Sequence, residues 1–281
     1  MADPENPERR LLLALDIEKF SGRDNVLQYR AQLAFQKIMT DACTELGLDR
    51  FDWQIQPRGD GELAVLPSSA NERAVVTRLA PTVDRLLRDH NRGMAKEARI
   101  RLRIAAHEGP VHSDGACGAA GEAVLEVCRL VDSPQAKAAL RRFPGTEVML
   151  IVSERIYRDI VRHYRDLRPE HFQKVVAHIP DKGFAEDAWV YVPGENAAAA
   201  MPDGPDLSSP DPPESNHRQA EEQNPQVLPD AGAGHHRSPA PPMGSRGHVY
   251  RDNVAHGSGI VYGDHANITL HGDESSGRGR Q

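Results

Sequence analysis

Apolar positions along the chain change their period several times, and each change predicts an element. Residues 11–17, Leu-Leu-Leu-Ala-Leu-Asp-Ile, form a continuous apolar run short enough for a buried strand. Helical spacing follows, with Val26, Tyr29, Leu33, Phe35 or Gln36, Ile38 and Met39 marking one face that ends near Gly47. Residues 51–56 alternate as a strand, Gly59-Asp60-Gly61 reverses the chain, and the apolar run at 62–66 returns. Residues 71–92 take helical spacing again through Val75, Leu79, Val83, Leu86 and Leu87. From 99 to 109, arginine alternates with Ile100, Leu102 and Ile104, which predicts a strand with one solvated face. A Gly/Ala-rich loop leads to a helix over 122–132 and a second helical piece ending at Phe143. Residues 147–152 predict a further strand, Ser153 caps a helix, and 172–179 with 188–193 predict a closing hairpin.

This order, β-α-β-β-α-β, predicts an α+β fold: a ferredoxin-like sheet with helices on one face, plus an added helix and hairpin. Such a fold hosts many functions and names none. Composition then bounds the folded part. Residues 193–242 hold 11 of the chain's 21 prolines, and no Phe, Trp or Tyr occurs between Val192 and Val249. A segment so poor in apolar surface cannot offset the entropy of ordering it. The expected organisation is therefore a domain over 1–193, a disordered acidic linker over 194–248, and a short β-prone segment over 249–281.

Charge divides at the same place. From Gly194 onward there are 12 acidic and 6 basic residues, so most of the net charge of −7 lies there. The nearly neutral remainder argues against a nucleic-acid partner. The three cysteines, Cys43, Cys117 and Cys128, lack paired metal-type spacing. No signal peptide opens the chain and no apolar run nears membrane-spanning length, which predicts a reduced, cytoplasmic protein without a membrane partner.

Candidate chemistry begins with two aspartates. In the expected topology Asp16, closing the first strand, lies beside Asp60 in the glycine turn. Two carboxylates at adjacent strand ends, one in a turn that lets a large ligand approach, suit a divalent metal with phosphates. The same residues also read as a helix-capping aspartate and ordinary hairpin chemistry, and taken alone they leave both readings open.

Four segments go further. Residues 13–21 (LALDIEKFS), 58–66 (RGDGELAVL), 99–111 (RIRLRIAAHEGPV) and 121–133 (GEAVLEVCRLVDS) occur in the order and spacing of the class III nucleotidyl cyclase catalytic domain family. The family pattern runs Asp-Ile-x-x-Phe-Ser/Thr, Gly-Asp, Arg-Ile-Gly-Ile-His-x-Gly-Pro-Val and Gly-Asp-x-Val-Asn-x-x-x-Arg. Residues 181–194 also resemble its Lys-Gly closing segment. The resemblance covers residues 10 to about 193. It implies that Asp16 and Asp60 hold two Mg²⁺ or Mn²⁺ ions, with the Ile17 carbonyl as a further metal ligand. It implies that Arg129 stabilises charge on the α-phosphate of a nucleoside triphosphate, and that Lys182 stands where the phosphate-binding lysine does. It also implies a head-to-tail homodimer with shared active sites, because one domain of a pair supplies the aspartates and the other the arginine.

Departures from the pattern fall on substrate recognition. The purine-selecting lysine is Gln56 here, the second base-selecting position falls on Gly118, and the ribose-positioning asparagine is Leu125. Glu122 replaces the aspartate of Gly-Asp-x-Val-Asn, while the histidine of the fourth strand is retained as His107. The resemblance thus implies either a cyclase for another base, as among the pyrimidine cyclases of bacterial anti-phage systems, or a silent module that senses nucleotide or only dimerises. At the far end, residues 253–272 recover apolar alternation at Ala266, Ile268 and Leu270, which reads equally as a docking segment for an effector protein or as chance alternation in a disordered end.

Overall fold

A computed structural model of the chain describes residues 6–112, 115, 118–164 and 166–207. The expectations for the linker beyond 207 and for the segment at 253–272 lie outside the described residues. Among the described residues, seven strands form one sheet: β1 (Glu8–Ile17), β2 (Gln54–Arg58), β3 (Gly61–Val65), β4 (Leu102–Val111), β5 (Val148–Ser153), β6 (Gln173–Ile179) and β7 (Phe184–Tyr191). Their spatial order is β2-β3-β1-β4-β5-β7-β6. Neighbours pair antiparallel except β4 and β5, which run parallel. The expected α+β sheet and its closing hairpin are both present.

The two helices of the β-α-β-β-α-β unit share one face of this sheet, as expected, and the added helices cover the other. Leu11, Leu13, Leu15 and Ile17 of β1 join a core with residues of α1 (Asn25–Leu46) and α2 (Glu72–Asn91). Leu12 and Ala14, on the opposite face, join a second core with α3 (Glu122–Asp132) and α4 (Pro134–Arg142). The physical reason was already present in β1, whose apolar run does not alternate. A strand that is apolar on both faces needs cover on both.

Helix α1 starts where Asp24 accepts the Leu27 N–H at 2.8 Å, and it ends at Gly47, whose φ of 65° only glycine adopts readily. Its buried stripe is Ala31, Phe35, Ile38, Met39, Ala42 and Cys43, whereas Val26, Tyr29 and Leu33 are exposed. The sequence spacing therefore merged two stripes of the helix into one. A second correction concerns the expected strand at 99–109, where Arg101 and Arg103 do not line a solvated face. Arg103 is only 3% exposed, and the Arg101 guanidinium donates to the carbonyls of Leu140 at 2.6 Å and Phe143 at 2.8 Å, at the end of α4. The helix capped by Ser153 is also short. It runs as α5 (Glu154–Ile156) and widens into π-type turns over Tyr157–Val161. There Tyr157 stacks on Trp189 with ring centroids 3.6 Å apart.

Packing continues past residue 193. Ala197 of the short α6 (Ala197–Ala200) and Met201 are buried against the second core. No helix among the described residues is long and apolar enough to cross a membrane.

The β2–β3 hairpin is fastened by a buried ion pair. A 3₁₀ turn at Arg50–Asp52 replaces the start of the expected strand. It delivers the Arg50 guanidinium to Glu62 in two parallel bonds, Nη1–Oε1 at 2.8 Å and Nη2–Oε2 at 2.5 Å. Glu62 is 4% exposed, so losing its partner would strand a buried carboxylate. Arg50→Ala is expected to cost about 3–5 kcal/mol in urea unfolding, whereas the double change Arg50→Met with Glu62→Leu should cost far less.

Candidate active site

The site is made by how β1 meets β3. Asp16 stands opposite Gly61 in the antiparallel register, and the Ile17 N–H donates to the Asp60 carbonyl at 2.7 Å. The strands approach so closely that a Cβ on Gly61 would lie 2.0 Å from the Leu15 carbonyl oxygen. Only glycine fits there. The turn holding Asp60 is also tied to α1, where the Gln32 side-chain amide donates to the Gly59 carbonyl at 2.8 Å. Asp16, Ile17 and Asp60 are thus together, with the Ile17 side chain locked in the first core.

The two carboxylates sit in different surroundings. Asp60 is exposed at the turn, while Asp16 is 6% exposed on the α3 side of the sheet. Burial pushes the Asp16 pKa up to about 7; Arg103 opposes this and the nearby Asp60 adds to it. Arg103, facing Asp16 across β1 and β4, donates from Nε to Oδ2 at 3.1 Å and makes a second bond to the same oxygen from Nη2. Sequence reading missed this residue. Its one signal was register, since an alternating strand carries the same pattern whichever face is buried.

Beside Arg103 opens a cleft of about 790 Å³, lined by Lys19, Arg23, Lys96 and Arg99 among others, with Glu18 and Glu147 opposing them. Lys19, in the loop after β1, has φ of 55°, the one non-glycine residue at positive φ among those described. Strain of this kind persists where surrounding structure holds it, commonly at ligand sites.

The remaining candidates form two further groups. Gln56 and Gly118 meet: a Cβ on Gly118 would lie 2.3 Å from Gln56 Nε2, so the glutamine occupies the space a side chain would take. The other group follows α3. Arg129 lies over the Phe184 ring at 5.6 Å, and Lys182, in the turn before β7, reaches Asp132 at 3.9 Å. Glu122 and Leu125 share the outward side of α3, and Leu125 is 54% exposed. Arg58, from the β2–β3 hairpin, touches Cys128 Sγ at 3.0 Å.

The donor set near Asp16 consists of oxygen alone, two carboxylates and a backbone carbonyl, and adjacent carboxylates of like charge are relieved by a cation between them. No group of three or more His, Cys, Asp or Glu side chains able to hold a metal occurs among the described residues. An oxygen donor set is one that Mg²⁺ or Mn²⁺ can accept. Such ions take one or two carboxylates and complete their shell with water and substrate phosphate.

No protein-family model matches the chain. No curated protein matches it either. Among solved structures, it is similar to an adenylate/guanylate cyclase/hydrolase from Silicibacter pomeroyi, at 18% identity and a TM-score of 0.49, over 67% of this chain and 99% of that one. It is similar to the guanylyl cyclase Cya2 at 15% identity and a TM-score of 0.45, over 66% and 93% of the two chains. For the guanylate cyclase domain of RhGC from Catenaria anguillulae, solved with GTP, the values are 14%, 0.44, 66% and 97%.

Gly61→Ala tests the geometry of the aspartate pair. It is expected to destabilise the domain by about 3 kcal/mol in urea unfolding through overpacking against β1. Whatever protein remains folded should lose Mn²⁺ affinity as well, measured by calorimetry.

Proposed function

We propose that the domain is a nucleotidyl cyclase, converting a nucleoside triphosphate to a 3′,5′-cyclic nucleotide and pyrophosphate. The observation that carries this reading is the β1–β3 register, which sets Asp16 beside Asp60 with Arg103 behind them. Asp16, Asp60 and the Ile17 carbonyl would hold two divalent ions. Bound there, the ions lower the pKa of the ribose 3′-hydroxyl and neutralise the departing pyrophosphate. The 3′ oxygen bonds to the α-phosphorus, and the bond from that phosphorus to the β-bridging oxygen breaks. The 3′ proton passes to solvent and pyrophosphate leaves.

The protein's own part is to orient and to stabilise charge. Arg103 holds the buried Asp16 carboxylate in one orientation and keeps a fixed positive charge where triphosphate oxygens gather. Arg129 offers a guanidinium to the α-phosphate, and Lys182 a point charge to the outer phosphates. In this reading Gln56 and Gly118 contact the base. Glu122, Leu125 and Arg129 line an outward side of α3, which fits a homodimer in which each copy completes the other's site. Residues 253–272 are proposed to dock an effector protein, with the whole acting in the cytoplasm.

Leu125 favours a second reading. An exposed leucine where the resemblance places a ribose-positioning asparagine can neither donate nor accept a hydrogen bond. A catalytically silent module that binds nucleotide, or only dimerises, would keep the metal aspartates and dispense with ribose orientation.

Incubation of the full chain with Mn²⁺ and each of ATP, GTP, CTP and UTP, read by mass spectrometry, is expected to yield one cyclic monophosphate. Asp60→Ala and Arg129→Ala should each abolish it. Nucleotide binding without product from any of the four would favour the silent module instead. Sharing of sites has its own signature. Mixing the inactive Asp60→Ala and Arg129→Ala proteins should restore about a quarter of wild-type activity, since random pairing makes half the dimers mixed, each with one intact site. No recovery after verified subunit exchange would exclude shared sites.

A further inference from the structure

Between α1 and the chain that leads from α2 to β4 lies a groove of about 530 Å³. It shares only Leu27 with the cleft beside Arg103 and holds none of the aspartate pair. One wall is Leu27, Ala31, Ala34 and Ile38, spaced at i, i+4, i+7 and i+11 along a single face of α1. Met94, Ala95, Ala98 and Ile100 form the wall opposite. Alanines on both walls leave room that larger side chains would fill.

The second wall is pinned from behind, which keeps the groove open. The Asn91 side chain exchanges two bonds with the Ile100 backbone, donating to its carbonyl at 2.8 Å and accepting its N–H at 2.9 Å. The Arg23 guanidinium donates to the carbonyls of Glu97 at 2.9 Å and Arg99 at 2.6 Å. A preformed, mostly apolar concavity of this size is in the range of small-molecule sites.

Its dimensions decide what it can take. From Leu27 to Ile38, α1 rises about 16 Å. Spread over that length, the volume leaves a channel roughly 6 Å across, narrower than the about 10–12 Å of a helix with its side chains. A single extended hydrocarbon chain suits that width; a helix does not enter it.

Charge narrows the choice further. Arg30, Lys37 and His90 also line the groove, and no acidic residue is among its lining. Arg30 is exposed and has no ion pair among the described residues. Lys37 meets Asp41 at 2.6 Å, in an exposed pair that is surrendered at little cost. Burial lowers the His90 pKa, leaving a neutral hydrogen-bonding group rather than a charge. The lining therefore combines an apolar floor with positive charge at its mouth.

We propose that this groove binds a free single-chain amphiphile with an anionic head, a carboxylate or phosphate, its chain between the alanines and its head on Arg30. The proposal stands apart from the cyclase reading, since the two sites use different residues.

The test is calorimetric titration of the full chain with decanoate, kept below its micelle concentration. One saturable site is expected. Ala34→Trp and Ala98→Trp, each filling the groove from one wall, should abolish binding. Arg30→Glu should weaken it about tenfold or more, the loss of one charge-assisted contact. Decyltrimethylammonium, with the same chain and the opposite head, should bind wild type about tenfold more weakly than decanoate does. Should Ala34→Trp disturb α1, Ala98→Trp in the opposite wall and Arg30→Glu on the surface decide the matter, with urea unfolding verifying each fold. No saturable decanoate binding, or binding unchanged by Ala98→Trp or Arg30→Glu, would overturn the proposal. Binding to anionic lipid vesicles without binding to monomeric decanoate would also overturn it, assigning this face to a membrane surface instead.

Discussion

The approach of β1 to β3 at Gly61 is the constraint on which the rest depends. Absence of a side chain there lets the two backbones meet, with the position a Cβ would take only 2.0 Å from the Leu15 carbonyl oxygen. That contact puts the end of β1 against the start of β3 and brings Asp60 to Asp16. The elements around it serve the same alignment. Arg50 and Glu62 fasten the hairpin from one side, Gln32 holds the Gly59 carbonyl from α1, and the apolar run of β1 anchors the strand in both cores. Asp16 ends that run, so its burial and its raised pKa follow from the same packing that stabilises the sheet.

The candidate groups are divided between two sides of the problem. The aspartates and Arg103 form one charged centre, while Arg129, Leu125 and Glu122 ride on α3 with part of that helix turned outward. A helix side carrying an exposed leucine next to an arginine gains from a covering surface, and a second copy of the chain is the partner proposed here. Under that arrangement the seat of α3 on β4 matters as much as the aspartate pair. One protomer would offer the arginine to the carboxylates of the other, so an error in helix register would pass directly into the neighbouring site.

Much of this was legible in the sequence, and the failures are instructive. The glycine turn, the apolar first strand and the capping residue Ser153 each act locally, and local signals survive folding. The pairing of Asp16 with Asp60 was legible only through topology, because the order of elements dictates which strand ends adjoin. Two errors share one cause. Alternation shows that a strand has two faces but not which is covered, so Arg101 and Arg103 read as solvated when they are partly or wholly buried. Helical spacing likewise merged the Val26–Tyr29–Leu33 stripe with the buried one. The run at 11–15 carried its own signal, since a strand apolar on both faces calls for cover on both. The approach of His107 Nε2 to Glu126 Oε2, 2.7 Å apart, was not legible at all, since it joins a strand and a helix whose register only the folded chain defines.

The measurement that bears most directly on the central claim is titration of Mn²⁺ into the full chain with a non-hydrolysable nucleoside triphosphate, following the free-ion signal by electron paramagnetic resonance. Wild-type protein is expected to withdraw Mn²⁺ in a nucleotide-dependent manner, and Asp16→Asn and Asp60→Asn, each still folded, are expected not to. Equal withdrawal by all three proteins, or none by the wild type in any nucleotide, would contradict a metal–nucleotide site between β1 and β3.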